Sequence, residues 1–220
     1  MTLRELRNKV NDWLAVDKLR LLVPDFIRFG QKSLERHLRL SVMRYHPVTA
    51  SLSAGVNKLA LPSDYIEMIS LCLIEGTARY PITERLSDGA MVDEYRNTVA
   101  DVTTTGRPIA FRRVVLLETG VYNNYLQFDR YTDKVYSYEM VYYRHLITLD
   151  DDADTNWWTS NCWEILLYGA LLQAEPYLVN DARAIVWAGM LKNALDGLAI
   201  AENREIFNGS PQSIKGNLPV

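Results

Sequence analysis

Apolar residues recur at helical spacing at both ends of the chain and at strand spacing between them. That double switch of period constrains the fold more than any other feature. Leu3, Leu6, Val10, Trp13 and Leu14 predict a helix over residues 2–14, with Thr2 and Glu5 in capping-box relation. Asp17–Leu22 reads as a connector. Pro24 suits the first turn of a second helix, whose stripe is Phe26, Ile27, Leu34 and Leu38 and which ends near Arg39. Arg28, Lys32, Glu35, Arg36 and Arg39 fall on its other face, and Gly30 marks a point of close packing.

From residue 40 the pattern becomes β-like. Strands are predicted at Leu40–Tyr45, Leu59–Leu61, Met68–Ile74, Ile109–Leu117, Tyr125–Phe128 and Val135–Tyr143, with a short helix at Ser87–Arg96 and a turn at Thr103–Pro108. Helical spacing returns after Asp154, with Thr155 or Asn156 as cap. Trp163, Leu166, Leu167, Ala170, Leu171 and Ala174 form one stripe, and Pro176 stands near that helix's end. Asn180–Asp181 caps the next helix, whose stripe is Ala184, Ile185, Ala188, Leu191, Leu195, Leu198 and Ala199.

The expectation is an α+β, mainly α chain. Residues 1–39 and 151–205 supply the two N-terminal and two C-terminal helices of a four-helix bundle. Residues 40–150 form an inserted β-rich lobe, and 206–220 an extended C-terminal tail.

Composition narrows function mainly by exclusion. The chain has 220 residues and a net charge of −3, with pI ≈ 5.7, which argues against a protein that grips nucleic acid by neutralising phosphates. No uninterrupted apolar run approaches the ~20 residues of a membrane span, so a soluble protein made in the cytoplasm and without membrane association is expected. Cys72 and Cys162 read as buried free thiols.

Phosphate-loop, dinucleotide, zinc-protease and nucleophile-elbow motifs are missing, and His37, His46 and His145 lie far apart in sequence. No catalytic, cofactor-binding or metal-binding residue is assigned and no cofactor is expected, so the chain does not read as an enzyme. Asp150, Asp152 and Asp154 alternate like the start of a calcium loop. However, Thr155 and Asn161 stand where that loop needs Gly and Glu, so the run reads as an acidic turn that complements a helix N-terminus. Asn208–Gly209–Ser210 matches a glycosylation acceptor by chance. The tyrosines of Val135–Tyr143 allow three readings: cross-strand packing, a subunit interface through Tyr138, Tyr142 and Tyr143, or a base-stacking platform of a single-stranded nucleic-acid module.

Several stretches together resemble the head-to-tail adaptor (connector) proteins of tailed bacteriophages over residues 2–205. TLRELRNKVNDWL followed by VPDFIRFGQKSLERHLRL is similar to that family's opening helix pair. LALPSDYIEMISL resembles its L-P-x-D-Y segment, and TGRPIAFR its G-x-P turn. VYYRHLITLDDDADTNWW and EILLYGALLQAEPYLVNDARAIVWAGML resemble its closing strand, acidic turn and helix pair. Gln127–Arg130 departs from the proline-rich turn common there.

The resemblance implies a structural protein of the virion neck. It would form a dodecameric ring below the portal, extend the double-stranded DNA channel without sequence-specific binding, and attach a tail or nozzle protein. A stopper or tail attachment protein is the alternative. Phe207, Ile214 and Leu218 would then belong to a tail that docks on the portal.

Overall fold

The computed structural model describes residues 1–46, 50–85, 105–178 and 181–207; the helix expected at Ser87–Arg96 and the tail beyond Phe207 lie outside the described residues. The chain divides into two compact units. The first combines Met1–Ser41 with Leu146–Val220, and the second is Val42–His145.

The first unit is helical. Helix α1 (Leu3–Leu14) starts at Thr2, whose hydroxyl accepts from the Glu5 N–H while the Glu5 carboxylate accepts from the Thr2 N–H. This is the reciprocal satisfaction of orphan donors that the sequence announces. A short 3₁₀ turn at Asp17–Leu19 leads into α2 (Val23–His37), with Pro24 in its first turn. After the β unit come α3 (Trp157–Asn161), α4 (Trp163–Leu178) and α5 (Asp181–Phe207). Asn156 caps α3 by accepting from the Thr159 N–H, and Cys162 (φ −142, ψ 46) separates α3 from α4.

Helix α4 is the centre of this unit and packs against α1, α2 and α5. Ile165, Leu166, Leu167, Gly169, Ala170, Leu171 and Ala174 are all buried, which is more of the helix surface than one stripe can occupy. Gly30 is where α2 and α4 touch. A Cβ there would lie 3.0 Å from both the Ala170 nitrogen and the Gly169 carbonyl carbon, so only glycine allows this approach.

The second unit contains two sheets. In the first, β9 (Tyr136–Arg144) runs antiparallel to β4 (Tyr65–Glu75) on one side and to β1 (Arg44–Tyr45) and β2 (Ala50–Leu52) on the other. Strand β5 (Ala78–Pro81) extends it beyond β4. The second sheet has the order β3 (Lys58–Ala60), β8 (Val121–Phe128), β7 (Ala110–Glu118), β6 (Thr83–Glu84), with β6 parallel to β7. Leu52, Leu71, Leu73, Tyr136, Met140 and Tyr142 from the first sheet and Phe111, Leu126 and Phe128 from the second close one core around Ile82.

This corrects the expected fold class. The chain is a mixed α/β protein with two sheets, not a mainly α four-helix bundle, and five α-helices are present among the described residues. Three causes are visible. Strands β2, β5 and β6 are too short to print an alternation on the sequence, and of the strand expected at Leu40–Tyr45 only β1 forms, because Ser41–Met43 is a 3₁₀ turn. The segment expected as one helix after Asp154 is broken at Cys162. The stripe expected on α5 is at most half-buried, so α5 does not close a fourth side of a bundle. Two smaller expectations also change: Glu35 is buried (1% exposed), not on an outer face, and both free cysteines are only half-buried.

Candidate assembly surfaces

The acidic turn is tied into the helical unit. The carbonyls of Asp154 and Asp152 accept from the Leu3 and Arg4 N–H groups at 2.9 and 3.0 Å. These are orphan donors of α1, so the turn complements the N-terminus of α1 rather than of the helix that follows it. Arg7 pairs with Asp152, and Arg28 with Asp150 at 3.0 Å. The Asp154 carboxylate accepts from the Asp150 and Asp151 N–H groups (2.9 and 2.8 Å), and these bonds hold its carboxyl below the usual range. No group of three metal-ligating side chains converges among the described residues. His37 and His145 belong to different units, and the His37 ring bonds to the Ser33 carbonyl.

Two buried acids organise the helical unit, and sequence periodicity pointed to neither. Glu35 on α2 accepts from the Gln31 amide at 2.8 Å and from the Trp158 indole at 3.4 Å. Gln31 in turn accepts from Asn156, and both amides reach the Ile147 carbonyl. The network joins α2 to the α3 cap and leaves its buried donors satisfied. Glu175 on α4 (2% exposed) accepts from the Trp187 indole at 2.6 Å and pairs with Arg183 at 3.3 Å, and both partners lie on α5. Arg183 also donates to the Trp13 carbonyl, and the Trp13 ring lies against those of Tyr168 and Trp187. One face of α5 is thus fixed by a charged and aromatic seam.

The strand tyrosines serve mainly the core of their own unit. Tyr142 is 2% exposed, sits between Tyr45 and Met68 in register, and donates to Asp64 at 3.1 Å. Burial and the Asp64 charge push its phenol up to about 12. Tyr136 is also pushed up to about 12 by burial and its bond to Asp133. Tyr138, between Ala50 and Leu73, and Tyr143, between Arg44 and Glu67, are half-buried. Of the tail residues, Phe207 ends α5, while Ile214 and Leu218 lie outside the described residues.

Two exposed apolar surfaces stand out, and the sequence reading singled out neither. The β7–β8 hairpin turns tightly at Thr119 (φ 50) and Gly120 (φ 82), the left-handed pair that a two-residue turn requires. Its register puts Phe111, Arg113, Val115 and Leu117 on one face with Phe128, Leu126, Asn124 and Tyr122, so Arg113 and Asn124 interrupt an otherwise apolar row. The base of that face is buried core. Further out, Val115, Leu117 and Tyr122 are 61%, 60% and 74% exposed, so the core face runs on into solvent.

The second surface is the outer side of α5, where Ile185, Val186, Met190 and Ile200 are exposed. Among the described residues α5 is the one helix long and apolar enough by length and composition to cross a membrane, and none of that stretch is buried. Lys192 and Asp196 interrupt it.

A chain with apolar faces left open has the surface of an assembly component. The chain belongs to the SU10 adaptor protein family, a phage head-to-tail adaptor family, whose model matches residues 1–214. It is accordingly a structural phage adaptor of the virion neck or tail. No curated protein matches it.

Proposed function

We propose that the protein forms a ring, expected to be dodecameric, below the phage portal. There it would extend the DNA channel and attach the tail or nozzle protein. The family match over residues 1–214 carries this reading. The open face of the β7–β8 hairpin supports it: Val115, Leu117 and Tyr122 supply a contact that a neighbouring copy's different surface can receive. Repeated around a rotation that closes, such a heterologous contact makes a ring. Net charge of −3 suits a lumen along which phosphates slide. The tail with Phe207, Ile214 and Leu218 is the segment proposed to dock on the portal, and the exposed edges of Tyr138 and Tyr143 can add to the contact between copies.

Mass photometry of the full chain, alone and mixed with a portal ring, tests the proposal. Complexes carrying about twelve copies are expected on the portal. The variant Leu117→Asp with Tyr122→Asp should keep its circular dichroism and lose ring formation. Wild-type protein that binds no portal ring would overturn the assignment. Rings formed equally well by the double variant would remove the hairpin from it.

A further inference from the structure

Helix α5 has an inner side and an outer side of different character. Arg183, Ala184, Trp187, Leu191, Ala194, Leu195, Leu198 and Glu202 are half-buried and mark the side that meets the chain. The opposite side carries Ala182, Val186, Gly189, Asn193, Gly197, Ile200 and Arg204, all exposed. Spacings of four, three, four, four, three and four average close to the helical period, so the seven residues form one straight stripe about 33 Å long.

That stripe reads alike in both directions from Asn193. Gly189 and Gly197 stand four residues to either side, Val186 and Ile200 seven, and Ala182 and Arg204 eleven. A Cβ on Gly189 or Gly197 would meet nothing within 4 Å, so no packing among the described residues makes use of either glycine. Glycine weakens a helix interior. At Gly30, by contrast, the same chain uses glycine to bring two helix backbones together.

We infer that α5 pairs antiparallel with α5 of a second copy, about a two-fold axis through Asn193. Each Val186 then lies over the partner's Ile200. The glycines face one another and let the backbones approach, and the two Asn193 amides meet on the axis, where a polar pair fixes register. Charge selects this orientation. Lys192 and Asp196 lie along one edge of the stripe, and both are exposed. In the antiparallel pair that edge meets its own copy reversed, so each Lys192 lies about 3 Å along the axis from the partner's Asp196 and as far from the partner's Lys192; the two attractive approaches outnumber the one close repulsive one. A parallel pair sets that edge against the partner's other edge, around Val186, Met190 and Gly197, where neither charge finds a counterpart.

A strip this long and one helix wide (~10 Å) covers several hundred Å², below the roughly 800 Å² per partner of a standard stable interface. The dimer is therefore expected to dissociate on dilution. An isologous contact closes at two copies and cannot build a ring. The pairing is thus a state of the free protein, and it stands or falls independently of the ring reading.

Three cysteine variants of the full chain under mild oxidation decide the matter, with wild type controlling for Cys72 and Cys162. Asn193→Cys should cross-link to itself. Ile200→Cys, on the same stripe but seven residues from the axis, should not, yet it should cross-link when mixed with Val186→Cys. Equal self-linking of Asn193→Cys and Ile200→Cys, or no linking of either, overturns the inference. So does a chain that stays monomeric in sedimentation at tens of micromolar and floats with neutral phospholipid vesicles.

Charge gives a second readout that leaves the fold intact. Lys192→Asp should weaken the dimer about tenfold, and adding Asp196→Lys should restore it. Equal affinity of the single and double variants would remove the proposed register.

Discussion

Replacing Gly30 with alanine tests how the helical unit is held together. The added Cβ would stand 3.0 Å from the Ala170 nitrogen, 3.0 Å from the Gly169 carbonyl carbon and 3.4 Å from the Gly169 oxygen. All three are backbone atoms, so none can rotate away, and α2 and α4 must part by a few tenths of an ångström. That separation loosens Ile27 and Leu34 on one helix and Leu167 and Leu171 on the other, all of them buried. Overpacking of this kind costs about 1–3 kcal/mol, and the better helix propensity of alanine returns about 1 kcal/mol.

A net loss of about 1 kcal/mol, the middle of a range of about 0–2, is expected, which lowers the melting temperature of a unit of this size by about 4–8 °C. Tryptophan fluorescence isolates the effect, because Trp13, Trp157, Trp158, Trp163 and Trp187, all five tryptophans of the chain, belong to the helical unit. Gly189→Ala, where the new Cβ meets nothing, should have the opposite sign in dilute protein and stabilise by about 1 kcal/mol. Gly169→Ala, whose nearest neighbours are at 3.7 Å, should change little. A Gly30→Ala protein that melts at or above the wild-type temperature would refute the close crossing.

Two further outcomes follow from the buried polar groups. Asn156→Ala removes the α3 cap and leaves the Gln31 amide oxygen without its donor, so a loss of about 2–3 kcal/mol in denaturant unfolding is expected. An effect within error would mean that the network does not join α2 to α3. In the β unit, Tyr136 and Tyr142 hold their protons up to about 12 in the folded chain, against 10.0 for an ordinary phenol. The stability gained is fully present below pH 10 and is lost as pH rises through 12. An ultraviolet titration should show late-ionising tyrosines released together with loss of sheet structure, and ionisation of all tyrosines near 10 in a still-folded protein would contradict their burial.

Legibility from sequence followed the range over which each signal acts. The capping box at Thr2 and Glu5, the first-turn Pro24 and the tight contact at Gly30 could all be read, because each is set by a few neighbouring residues. Most strands of two to four residues could not, β3 at Lys58–Ala60 excepted. Ala50–Leu52 and Thr83–Glu84 hold their places by pairing with β9 and β7, partners remote in sequence. The sequence places Glu35 on an outer face, because an acid on an amphipathic helix normally faces water. Its burial depends on Gln31 and Trp158, and the Trp158 contact comes from more than a hundred residues away. The hairpin face is hidden in the sequence for a different reason. Val115 and Leu117 alternate just like core residues, and only their exposure in the folded unit distinguishes them from core.

Helices α4 and α5 bring out the same physics. Both are apolar over more than one stripe, and an all-round apolar helix is normally enclosed. Helix α4 is enclosed by its own chain, with Leu166, Ala170, Leu171 and Ala174 fully shielded. Helix α5 is fixed along one side by Glu175, Arg183 and Trp187 and bare along the other. Composition cannot distinguish the two, because the free energy gained by burying an apolar residue is indifferent to whether the cover comes from the same chain or another. Charge placement does distinguish them. Within α4 the buried acid, Glu175, is paired inside the chain, whereas on the outer side of α5 the acid and the base, Asp196 and Lys192, are both exposed. Exposed opposite charges beside an apolar stripe keep the free chain soluble and also carry the information needed to orient a partner. In an assembly protein, the open surface that most resembles core is therefore where contact with another copy should be sought first.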